Sequence, residues 1–146
     1  MVLTVIREAT EADVPQLVEM GLHFLRLHYA DKLKENPEQI AKTLRDLLAN
    51  PQGKVLVGGN GHIQGVVGFV VYPQLFSGEP VAGELFWYVE PEARGRLGLE
   101  LLREAERTAV KMGAETMQMV SPSETTSKLY EKLGYEYVDA QYMRRL

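Results

Sequence analysis

The chain contains no cysteine, which excludes a disulfide framework, a thiolate metal site and a cysteine nucleophile. It also lacks an excess of basic residues: 16 Lys+Arg stand against 20 Asp+Glu, a formal net charge of -4. Gripping a phosphate backbone needs a basic surface, so no nucleic-acid partner is expected. Long apolar runs are missing as well. The longest nearly apolar stretch, Val66 to Tyr72, is interrupted by Gly68 and falls far short of the roughly 20 residues that cross a bilayer. The start, Met1 to Ala9, carries Arg7 and Glu8 where a secretory signal needs an apolar core. A soluble cytoplasmic protein with no membrane partner is the expectation. There are only three histidines, and none joins Asp or Glu at metal-ligand spacing, so no metal is expected. The Gly-x-x-x-x-Gly-Lys-[Ser/Thr] phosphate loop is absent too.

What remains is 146 residues that are 45% hydrophobic and 25% charged, the make-up of one packed domain spanning 1–146. Val2 to Arg7 is rich in β-formers and reads as a strand. Thr10 offers a helix cap. Val14, Leu17, Val18, Gly21, Leu22, Leu25 and His28 then recur at helical spacing. Pro37 suits the first turn of a second helix, whose stripe is Ile40, Thr43, Leu44, Leu47 and Leu48. Lys54–Val57 and Ile63–Tyr72 are strands flanking Asn60-Gly61, a hairpin signal that asks for positive φ at both turn residues. His62, just after that turn, should face solvent. Pro73 to Ala82 reads as a mobile polar loop, and Glu84 to Val89 as a strand. A long helix follows with Leu101, Leu102, Ala105, Ala109 and Met112 inward, ended by Gly113. Then come a strand from Thr116 to Val120, a short helix from Glu124 to Leu133, and a closing hairpin around Asp139-Ala140. The order β-α-α-β-β-β-α-β-α-β-β gives an α/β (α+β) fold, with a mixed, mainly antiparallel central sheet and helices on both faces.

The stretch with most chemistry runs from Glu84 to Leu102. A strand enters a turn carrying Arg94, Gly95, Arg96 and Gly98, and a helix begins there. Free amides of a first helical turn, the helix dipole and the close approach that glycine allows together form an anion cradle, to which two arginines add charge. The same residues also read as a plain strand-to-helix connection with surface arginines.

Val89-Glu-Pro-Glu-Ala-Arg-Gly-Arg-Leu-Gly-Leu99, Leu129-Tyr130-Glu-Lys-Leu-Gly-Tyr135 and the element order resemble the GNAT superfamily of N-acetyltransferases across nearly the whole chain. The similarity is closest to short bacterial and phage-type members, with their Glu-Leu-Phe-Trp stretch. The resemblance implies that acetyl-CoA is the co-substrate and that Arg94, Gly95, Arg96, Leu97, Gly98 and Leu99 bind its diphosphate. It also implies that the strand at Tyr88 and Val89 bonds the pantetheine arm and grips the thioester carbonyl. The family pattern [Gln/Arg]-x-x-Gly-x-[Gly/Ala] would meet Leu97 and Leu99 at its small positions. A one-residue deletion after Arg96 restores the match, with Leu97-Gly98 as the last x-Gly pair. Ser123 stands seven residues before Tyr130, where the family often has asparagine, and is the remaining coenzyme candidate. The acceptor implied is a small-molecule or peptide amine, and a homodimer is the base-rate assembly.

Direct acetyl transfer needs a neutral amine, a polarised carbonyl and a proton for the departing sulfur. By resemblance Tyr130 is the candidate general acid; by residue type alone it would fill a helix–sheet interface. Glu84 is the candidate base, working through a water, and reads equally as a strand glutamate paired with an arginine. Simple alternation would put Glu84, Phe86 and Tyr88 on one face and Leu85, Trp87 and Val89 on the other. His23 and His28 fall on the first helix, which in the family borders the acceptor pocket, and both read as partly buried structural residues. The alternative function is a non-catalytic acyl-CoA-binding or regulatory protein of the same fold.

Overall fold

The computed structural model describes residues 4–146. Its elements are β1 (Val5–Glu8), α1 (Val14–His28), α2 (Pro37–Ala49), β2 (Gly53–Gly59), β3 (Gly65–Pro73), β4 (Pro80–Val89), α3 (Arg96–Lys111), β5 (Thr116–Gln118) and α4 (Glu124–Lys132). Val2 and Leu3 of the expected first strand lie outside the described residues. The strands form one open sheet in the order β1-β2-β3-β4-β5. Every neighbouring pair is antiparallel except β4 and β5, which run parallel, with α3 between them in sequence. A parallel neighbour cannot be reached by a tight turn, so the crossover helix is what the topology requires.

Two apolar layers hold helices to the sheet. On one face Val14, Leu17 and Met20 of α1 and Leu44 and Leu47 of α2 pack on Val55, Val57, Val66 and Tyr88. On the other face Leu97, Leu101, Ala105 and Ala109 of α3 cover Leu56, Val67, Phe69, Val71 and Val89. The apolar stripes of the sequence mark the faces the helices bury, with Met20 added in α1 and Thr43 of α2 left exposed. At the start of α1 the Thr10 amide donates to Asp13 Oδ2 at 2.8 Å, and Arg7 clamps both oxygens of the same carboxylate at 2.8 and 2.9 Å. That clamp holds the Asp13 carboxyl down at about 2.

Three local expectations are corrected. The β2–β3 loop spans 60–64, and Gly61 (φ 89°) has positive φ while Asn60 does not. The short turn therefore gives way to a wider loop, in which the Gln64 amide bonds the Gly58 carbonyl at 2.8 Å. Pro80–Gly83 belongs to β4 and not to a loop, because Val81 and Ala82 are fully buried and pair with Tyr72 and Val71. The connection is only residues 74–79, and the Gln74 side chain accepts from the Phe76 and Ser77 amides at 2.6 and 2.9 Å. The closing hairpin around Asp139-Ala140 does not form: residues 135–146 contain no strand, and Tyr137, Val138 and Tyr142 are exposed. The outer edge of β5 stays without a strand neighbour among the described residues, so β propensity alone does not fix a strand there.

Candidate active site

The site begins with an irregularity in β4. Gly68 pairs with Phe86 and Phe69 with Glu84, so Leu85 is an extra residue, a β-bulge. The bulge overturns the expected alternation. Glu84 lies opposite Phe69, and Trp87 opposite Val67, on the α3 face; Phe86 and Tyr88 lie opposite Gly68 and Val66 on the α1–α2 face. Gly68 makes the crossing possible: a Cβ there would stand 2.3 Å from the tip of the Phe86 ring. Glycine is required by that close approach.

Just beyond the bulge the sheet forks. β5 pairs with β4 only at Val81–Gly83, and beyond them the outer edge of β4 from Glu84 to Val89 has no strand neighbour among the described residues. The Glu90 amide donates to the Gln64 carbonyl of the β2–β3 loop at 2.8 Å. Backbone alternation from there turns the Tyr88 amide toward β3 and the Trp87 and Val89 amides toward the open edge.

Three groups meet in the fork. Glu84 is a buried carboxyl whose Oε2 accepts from the Val120 amide at 3.3 Å. The buried Tyr130 phenol of α4 donates to the Val120 carbonyl at 3.0 Å. Trp87 stacks on Tyr130 with ring centroids 5.8 Å apart, and its Nε1 donates to the Gly98 carbonyl at 3.2 Å. Burial raises Glu84 to about 7, against the opposing pull of the Val120 hydrogen bond. Burial, and next the Glu84 charge, push the Tyr130 phenol far above its ordinary value, so it keeps its proton at neutral pH. The expected Glu84–arginine pair is absent among the described residues.

A cavity of about 480 Å³ opens from this fork. Glu84, Trp87, Val120 and Tyr130 line it at the fork; Phe24, His28, Ile40 and Phe86 belong to the α1–α2 side. His28 therefore borders the cavity as well as packing edge-on against Phe24 at 5.1 Å. Burial, with the Arg94 charge, pushes its imidazole below the ordinary value. His23 lies 2.9 Å from Glu90 Oε1, and the Tyr88 hydroxyl donates to Glu90 Oε2 at 3.3 Å. His62 is exposed, as expected.

The glycine turn lies at the far end of β4. Gly95 (φ 111°) precedes α3 and, having no side chain, supplies no cap to the first-turn amides of Arg96, Leu97 and Gly98. Its positive φ is a conformation that glycine adopts freely. Arg94 Nε donates to the Val89 carbonyl at 3.1 Å, and its guanidinium stands 5.9 Å from the Tyr88 ring centre. Arg96 is largely exposed and pairs with Glu100 at 2.7 Å. Leu97 and Gly98 are buried, while Leu99 is half-buried. Ser123 caps α4: its Oγ accepts from the Thr126 amide at 3.2 Å.

Sequence reasoning set the first helix beside the acceptor pocket by resemblance, but did not identify Val120, Phe86 or α2 as parts of the same site. A signal was available in the unbroken apolar run Leu85–Val89, which does not alternate and so marks a strand covered on both faces. Among the described residues no group of three His, Asp or Glu could hold a metal ion, and no helix is long and apolar enough to cross a membrane.

Solved structures share this fold. A predicted acetyltransferase of Clostridium acetobutylicum with acetyl-CoA superposes with a TM-score of 0.82 at 17% identity, covering 98% of this chain and 96% of that one. A transcriptional regulator of Bacillus halodurans gives 0.80 at 22% identity, covering 99% and 100%. Glucosamine-6-phosphate N-acetyltransferase of Arabidopsis thaliana gives 0.77 at 14% identity, covering 98% of each. At such identities the likeness is one of fold. No curated protein matches the chain. The model of the acetyltransferase (GNAT) family matches residues 19–135, and with that match the chain belongs to the GNAT acetyltransferase family.

Proposed function

We propose that the protein moves the acetyl group of acetyl-CoA directly onto a primary amine, with both substrates held together. The observation that carries this reading is the meeting of the Glu84 carboxyl and the Tyr130 phenol at the fork between β4 and β5, inside one cavity. The coenzyme fits the remaining groups. The uncapped amides of Arg96, Leu97 and Gly98, with Gly95 in its left-handed conformation, suit a diphosphate. The positive charge of Arg94 and Arg96 supports the same ligand. The open edge of β4 suits the amide-bearing pantetheine arm, and the Clostridium acetobutylicum protein of the same fold was solved with acetyl-CoA. Ser123 remains a coenzyme candidate only through a group other than its capping hydroxyl.

The chemistry supplied by the coenzyme is an acyl carbon activated by sulfur. Glu84, half ionised near neutrality, takes a proton from the bound ammonium through a water. The freed amine attacks the carbonyl carbon while the Val89 amide, turned to the open edge, steadies the developing oxyanion. As the carbon–sulfur bond breaks, Tyr130 delivers its phenolic proton to the sulfur and its phenolate takes back the surplus proton of the acylated nitrogen, leaving an acetamide, a free thiol and a neutral Tyr130. A thiol is the stronger acid, so the transfer is uphill by itself, and return of the nitrogen's proton to the phenolate draws it forward. No metal enters the scheme.

A second reading is an acyl-CoA-binding regulator. It is favoured by the engaged Ser123 hydroxyl and by the glycine turn, one position shorter than the family pattern. Following free thiol with acetyl-CoA and a panel of amines separates the two. Amine-dependent thiol release is expected; coenzyme binding without any such release would favour the regulator.

A further inference from the structure

We propose that the acceptor is a compact amine with a single positive charge on an apolar body, and that polycations such as polyamines and aminoglycosides are poor acceptors. The proposal rests on the acetyl-transfer reading and names the substrate class for that site. Among the described residues Glu84 is the sole carboxylate lining the cavity, and like Tyr130 it is buried there. The wall on the α1–α2 side is mostly apolar, with Phe24, Leu33, Ile40 and Phe86, and its polar members Gln39 and Thr43 carry no charge. Phe24 stands edge-on to Tyr88 at 6.1 Å and to His28 at 5.1 Å, so the aromatic wall is already assembled.

One ammonium can therefore find a counter-charge and a proton acceptor together. A second ammonium on the same molecule would leave water with no anion to meet it, which is costly in a site of low dielectric. Carboxylates near the cavity's surroundings offer no substitute. Glu90 is held by His23 and Tyr88, and Glu35 is paired with Arg26 at 2.6 Å. The one other ionisable group of the imidazole, carboxyl or ammonium kind on the wall is His28, which when protonated would repel a cation. An apolar body on the same amine covers the wall and gains from leaving water.

The test compares 2-phenylethylamine and hexylamine with spermidine and kanamycin, at equal concentration with acetyl-CoA, by thiol release. Specificity for the two apolar amines is expected to exceed that for the polycations by about tenfold or more. Because Trp87 is the single tryptophan and lines the cavity, its emission reports amine binding without turnover, with the same expected order. Leu33→Glu, on a half-exposed wall residue outside the helices, should raise spermidine use and lower that of 2-phenylethylamine. Ile40→Glu should do the same from within α2. A thermal melt checks that each variant is folded. Faster acetylation of spermidine or kanamycin by the wild type, or tighter binding of either by Trp87 emission, would overturn the proposal. If no amine yields thiol, the transfer reading fails, and the Trp87 titration alone then decides the acceptor class by the same order of affinities.

Discussion

Glu84 pays for its position with a displaced titration, and that displacement has two measurable consequences. Its carboxyl is raised from 4.5 to about 7 by burial, so turnover at limiting amine should climb with pH through an inflection near 7. Glu84→Gln should lower kcat/KM by about 100-fold, the lower end of what a positioned base contributes, and remove that inflection. Wild-type rates across the pH range would exclude Glu84 from the reaction. The linkage sign follows from the same shift. The folded state holds the proton more tightly than the unfolded state, so its advantage is complete below about 4.5 and is lost as pH rises through about 7. Urea unfolding should therefore find Glu84→Gln gaining on the wild type between pH 5 and pH 8, by up to about 3 kcal/mol. Tyr130 belongs to the same scale. Tyr130→Phe keeps the ring stacked on Trp87 and deletes only the proton donor. A kcat lowered by about 100-fold with an unchanged dissociation constant for acetyl-CoA is expected, and steady-state kinetics beside calorimetry would show it.

At the scale of elements, the bulge in β4 does most to shape the site. Leu85 shifts the strand by one residue, which sends Glu84 to the α3 side and Phe86 to the α1–α2 side. Gly68→Ala would press on the Phe86 ring from 2.3 Å and drive it toward the cavity. Overpacking of this kind costs about 1–3 kcal/mol. The variant should raise KM for the amine several-fold more than for acetyl-CoA, and equal changes in both would count against this account of the wall. The helices were legible because their stripes report their own burial: Val14–Leu17 in α1, Leu44–Leu47 in α2 and Leu101–Ala105 in α3. The bulge was not, because it depends on which residue of β3 faces which residue of β4, a relation that no single strand carries. The 135–146 segment failed for a related reason. Tyr137 and Val138 favour a strand, yet they stay exposed and cover no apolar face, so propensity alone does not hold them to a sheet edge. The glycine turn was legible as a motif, since Gly95 declares a backbone conformation, whereas the part played by Val120 lies in its main chain and leaves no mark in residue type.

Over the whole molecule, the forked sheet separates two approaches to one point. The open edge of β4 and the N-terminus of α3 form one, and the apolar cavity bounded by α1 and α2 forms the other. The layers explain why so acidic a chain, with a net charge of -4, can still offer an anion site: backbone amides and two local arginines act at short range, where net charge matters little. The account depends most on those amides. Calorimetric titration with acetyl-CoA, repeated with S-acetyl-pantetheine, which has no diphosphate, addresses them directly. Acetyl-CoA binding, with affinity about tenfold or more above that of the pantetheine thioester, is expected from charge-assisted bonds at the helix N-terminus. Equal affinities, or no heat with acetyl-CoA at millimolar concentration, would contradict the diphosphate site and the transfer reaction built on it.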